Sequence, residues 1–98
     1  MGDRADPTVP LYRVNLGLAL RLIGSYERAA EELGAAVRLA PASTLARQRF
    51  AEIQSLLGRD SHALALTEAA LGEDPQSHGL WELKAQLLWR QRRFQEAR

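Results

Sequence analysis

The chain has 98 residues, 46% of them apolar, which makes one domain-sized unit with enough apolar side chain for a core. A formal net charge of +1 argues against strong electrostatic attraction to nucleic acid or anionic lipid, and the absence of cysteine excludes a disulfide framework and a thiolate metal site. No apolar run approaches the roughly 18 residues a spanning helix needs, and the polar, proline-containing opening at 1–10 is unlike a secretory signal.

No stretch alternates with period two and β-branched residues are sparse, so every predicted element is a helix. In chain order, helices are expected at roughly 10–23, 26–39, 44–57, 60–72, 78–91 and 94–98. Leu16, Leu20 and Ile23 recur at helical intervals in the first, and Leu33, Val37 and Leu39 follow in the second. With Leu11, Val14, Leu18 and Leu22 added, the first helix is apolar nearly all round, the pattern of a helix covered on several sides. Gly24 and Gly58 end the first and third helices, where glycine takes a left-handed conformation at little cost. Pro41 and Pro75 close the second and fourth, because proline bars the preceding residue from continuing a helix comfortably.

Pro7, Pro41 and Pro75 fall 34 residues apart. A fixed period of this length indicates stacked units, none of which can bury its apolar face alone. With the proline as the thirty-second position, one unit spans 10–43, a second 44–77, and a third, truncated, 78–98, preceded by a leader or the end of an upstream unit at 1–9. In that register small side chains at Gly17, Ala29, Ala51, Ala63 and Ala85 let paired helices approach toward the low end of the usual range of about 8 to 10 Å. The third unit halts at Arg98, early in its second helix, which suits a segment of a longer array.

The first unit has a Leu16-Gly17 pair, Gly24, Tyr26, Ala29 and Ala36; the second returns Ala51, Gly58, Ala63 and Ala70 at the corresponding small positions, and the third offers Trp81, Ala85, Phe94 and Ala97. On these residues the chain resembles a tetratricopeptide-repeat protein over almost its full length. Arg13 and Arg47 stand where that pattern has Trp, Asp60 where it has Tyr, and Arg92 where the third inter-helix Gly is due. The resemblance implies an all-α, right-handed α-solenoid of stacked helix-turn-helix repeats, about 2.6 of them in this chain. It also implies a protein–protein interaction scaffold that binds a peptide or partner helix in a concave groove lined by the first helix of each repeat.

Carried over position by position, that groove comprises Leu11, Val14, Leu18 and Arg21; Leu45, Gln48, Glu52 and Ser55; and Gly79, Glu82, Gln86 and Trp89. The surface is apolar at the front, polar in the middle and ends in an aromatic, which suits an apolar-anchored segment. Trp89 is the candidate anchor, since a tryptophan at an interface can contribute about 2 kcal/mol or more; the plainer reading packs it around Phe94. The carboxylate clamp of chaperone-binding members is not reproduced, because its positions hold Val14, Leu18, Arg49, Gly79 and Leu83. Shifting by one repeat aligns Asn15 and Arg49 but puts Leu45 where the clamp has Lys.

No catalytic, cofactor or metal site is expected. His62 and His78 are the only histidines, sixteen residues apart and without metal-ligand spacing. Glu27, Glu31 and Glu32, and Glu73 with Asp74, lie beside arginines as solvated helix faces. Arg90, Arg92, Arg93 and Arg98 near Trp81, Trp89 and Phe94 are balanced by Glu82 and Glu96, so nucleic acid is not an expected partner, nor is membrane insertion. The alternative to groove binding is a structural spacer or oligomerisation module that self-associates through exposed array ends.

Overall fold

The computed structural model describes residues 8–96, and in it five helices follow one another: α1 (Thr8–Leu22), α2 (Tyr26–Leu39), α3 (Thr44–Leu56), α4 (Asp60–Glu73) and α5 (His78–Glu96). No strand occurs among the described residues. The expected features at Asp6-Pro7, Ala97 and Arg98, and the Phe94 side chain, lie outside those described.

The turns repeat as faithfully as the sequence does. After α1, Gly24 N–H donates to the Arg21 carbonyl at 3.0 Å and Ser25 N–H to the Leu20 carbonyl at 2.9 Å. After α3, Gly58 donates to Ser55 and Arg59 to Gln54, each at 2.9 Å. These paired bonds are the Schellman closure, which needs a residue at positive φ, and Gly24 and Gly58 supply it at 85° and 82°. The second type of junction also recurs. Ala40 and Asp74, each turned out of helical geometry before the proline that follows, donate to Ala36 and Ala70 at 2.9 Å. Ser43 and Ser77 then cap the next helices, their Oγ atoms accepting from the N–H groups of Ala46 at 3.1 Å and Leu80 at 3.3 Å.

At the third first-helix terminus the pattern changes. Arg92 occupies the register of Gly24 and Gly58, no non-glycine residue among those described has positive φ, and α5 runs on to Glu96. The helix expected at 94–98 is therefore not a separate element through residue 96; the chain reverses only where glycine makes the left-handed turn inexpensive.

Helices pair within a repeat and stack between repeats. Gly17 lies against Leu33, so close that a Cβ there would stand 2.6 Å from Leu33 Cγ. Val14, Leu20, Ala29, Leu33, Ala36, Ala46 and Ile53 form a buried cluster across α1, α2 and α3. Ala51, Ala63, Leu83 and Leu87 continue it through α3, α4 and α5, and Ala70, Leu71 and Leu80 close the far side. The core is thus strung along the stack in a slab of 54 × 31 × 17 Å. Ion pairs fasten its edges: Arg13 to Glu32 at 2.7 Å, Arg47 to Glu73 at 2.8 Å, and Lys84 to Glu68 at 3.5 Å. Glu32, by hydrogen bond and charge, raises the Arg13 guanidinium above its ordinary value. Thr44 Oγ1 adds a 2.7 Å bond to Asp74.

Of the five small residues expected at close approaches, Ala29, Ala51, Ala63 and Gly17 are buried, while Ala85 is exposed. Its counterparts each face the second helix of their own repeat, and α5 has no such neighbour among the described residues. Leu39 and Ile23 are also exposed, at the ends of their helices.

Two substitutions separate the two uses of glycine. Gly17→Val forces Leu33 aside and should destabilise the fold by about 1 to 3 kcal/mol in urea unfolding. Gly58→Ala meets nothing within 4 Å, so only its backbone strain, about 1 kcal/mol, should appear.

Candidate partner-binding surface

The first helices form one layer and the second helices the other. Within the first layer α3 touches both α1 and α5, whereas α2 and α4 barely meet, so the stack closes toward the α1, α3 and α5 side. α1, α3 and α5 consequently present a common surface.

Its centre is a polar network built from residues of adjacent repeats. Glu52 on α3 accepts from Arg49 Nη1 at 3.0 Å and Gln48 Nε2 at 3.2 Å, and Arg21 on α1 reaches across to it at 3.4 Å. The Gln48 amide in turn overlies Gly79 on α5; a Cβ at Gly79 would stand 2.5 Å from Gln48 Oε1. Arg21, Gln48, Glu52 and Gly79, carried over from the resemblance, are therefore brought together into a bridge that ties three repeats. Gly79 is the residue that lets Gln48 lie flat there.

Other positions are disposed differently. Leu11 and Leu45 stand half-exposed on the open surface, and Glu82 and Gln86 are exposed. Leu18 is partly covered, packed against the first core cluster. Val14 and Ser55 do not line an open surface. Val14 is 3% exposed, inside the first cluster, and Ser55 is 7% exposed, its hydroxyl donating to Asp60 Oδ1 at 3.0 Å. Both share a helix face with the other groove positions but are covered by neighbouring helices, Val14 by α2 and α3 and Ser55 at the start of α4. Trp89 stands 60% exposed with the Arg93 guanidinium 4.9 Å from its ring centroid.

Sequence reasoning missed two features. Glu32, read as part of a solvated face, is the partner of Arg13 across α1 and α2. A cleft of about 680 Å³ also opens where the α3–α4 turn meets the far half of α5, walled by Arg59, Asp60, Ser61, Arg90 and Gln95. Asp60 there accepts from Ser55 and pairs with Arg90 at 3.6 Å. Only the continuation of α5 beyond Arg92 brings Gln95 to that cleft, and the absent turn gave no local sign beyond the missing glycine.

An antiparallel helix-turn-helix repeated in register, with its first helices lining a shared surface, defines an α-solenoid scaffold. A family model of the tetratricopeptide repeat matches residues 23–87, and the chain belongs to that family. Repeats of this kind generally mediate protein–protein interactions, and the family is typically a non-enzymatic scaffold. No curated protein matches the chain. None of the described helices is long and apolar enough to cross a membrane.

Removing the shared acceptor by Glu52→Ala should leave helicity intact but lower stability by about 1 kcal/mol, since Arg21, Arg49 and Gln48 lose a partly buried partner. Circular dichroism with urea titration measures both.

Proposed function

We propose that this chain is a protein-interaction module that holds an extended peptide or a partner helix along the surface of α1, α3 and α5. The observation that carries this reading is the pairing of exposed apolar side chains, Leu11 and Leu45, with a rigid polar centre around Glu52. Apolar anchors supply binding free energy on losing water, and a fixed polar network sets orientation and register. Because Glu52 already satisfies three donors, the centre offers a partner few free charges. Recognition then rests on apolar side chains at the Leu11 and Leu45 end, with hydrogen bonds from Gln86 and charge from Glu82 at the other. Nothing in the reading requires catalysis: the module would position a partner for work done elsewhere.

The test is capture of bound protein from lysate of the source organism by the wild-type chain and by Leu11→Glu, Leu45→Glu. Both leucines are about half-exposed, so the variant should keep its helicity and melting temperature. A partner held by the wild type should be lost, with affinity falling by about tenfold or more when measured against the purified partner. Equal capture by both chains would overturn the groove reading.

A further inference from the structure

In the first two repeats, one face of each first helix is covered by the second helix of the same repeat. Arg47 pairs with Glu73 of α4, Ala51 packs with Ala63, and Ser55 bonds Asp60. Moving 34 residues along, Trp81, Ala85 and Trp89 occupy the same three positions on α5, and Leu88 takes the place of buried Gln54. All four are open: Trp81 is 49% exposed, Leu88 45% and Trp89 60%, with Ala85 exposed between them. An apolar depression of about 490 Å³ lies at Ala85 and Trp89. By the register of its own repeats, this face is shaped for an antiparallel helix with a small side chain at the closest approach.

We infer that α5 of a second copy fills it, forming a two-fold dimer in which the two α5 helices run antiparallel with Ala85 at the axis. The small residue then meets itself, as small residues meet within the repeats, and Trp81 of one copy lies opposite Trp89 of the other. Charge supports that orientation. Glu82 lies toward the start of α5 and Arg92 toward its end, both largely exposed and, among the described residues, paired with His78 and Glu96 on their own helix. Antiparallel pairing about Ala85 sets Glu82 of each copy opposite Leu88 of the other, about 6 Å along the helix from Arg92; parallel pairing sets like charges together. A two-fold contact is also self-limiting, because the same patch is used on both copies. This face shares Glu82 and Trp89 with the α5 end of the groove, so a dimer would cover that end, while Leu11 and Leu45, on α1 and α3, stand outside it.

Both tryptophans of the chain are on α5, so their emission reports the contact. The 98-residue chain should sediment as a dimer at high micromolar concentration, dissociate on dilution, and shift its tryptophan emission to shorter wavelength as it pairs. Ala85→Arg, at an exposed helix position, should keep full helicity and stay monomeric with unshifted emission. Glu82→Arg and Arg92→Glu should each weaken pairing by about tenfold, and the double swap should recover most of it. A wild-type chain that remains monomeric throughout overturns the inference and leaves the face to a different protein. So does a dimer that survives Ala85→Arg but is dissolved by Tyr12→Glu on α1, or single charge swaps without effect.

Discussion

Whether this chain folds back on itself at the end of a first helix depends on the left-handed backbone of a single residue. At Gly24 and Gly58, φ of 85° and 82° closes the same pair of hydrogen bonds and sends the chain into an antiparallel second helix. A side chain at such a φ costs on the order of 1 to 2 kcal/mol, which is comparable to what the two turn hydrogen bonds return. Arg92 stands on the wrong side of that balance. The helix continues, the second-helix partner does not form within the described residues, and the face carrying Trp81, Ala85 and Trp89 stays in solvent. Both the reversals after α1 and α3 and the continuation of α5 through Arg92 therefore come from the same backbone preference.

Because each repeat touches only its neighbours, burial is local. α3 packs against all four other helices, with Ala46 and Ile53 against the first repeat and Ala51 against its own second helix, whereas α1 is covered by α2 and α3, and α5 by α3 and α4. That asymmetry decides which apolar side chains are core and which are surface far more than their hydrophobicity does: Leu20 and Leu22 are two residues apart on α1, 5% and 85% exposed. Stability of such an array adds up from repeat and interface contributions rather than from one central core.

The surface on the first-helix side joins stiffness to selectivity. Glu52 draws together side chains from α1 and α3, and Gln48 extends the contact over Gly79 on α5, so the three helices are held in register by polar contacts that water only partly reaches. Under the proposed function, a surface organised in this way would lose little conformational freedom on binding a partner. The leucines at its rim provide the apolar area.

Much of this was present in the order of residues. The 34-residue proline spacing, the glycines at 24 and 58 and the serines at 43 and 77 set the number, direction and ends of the helices, because each acts through backbone preferences or hydrogen bonds within a few residues of itself. The family resemblance also put Arg21, Gln48, Glu52 and Gly79 on the groove side of their helices, and helical periodicity keeps the positions of any one helix on a common face. What register could not determine was depth. Val14 and Ser55 share the groove pattern but are buried, and Ala85 shares the core pattern but is exposed, because burial depends on which neighbouring helix is present and how closely it packs. The pairing of Arg13 with Glu32, nineteen residues apart, and the cleft at Asp60 and Arg90 likewise exist only once separate helices are brought side by side. Local chemistry wrote the helices and their turns; contact between distant segments decided which of their faces water still reaches.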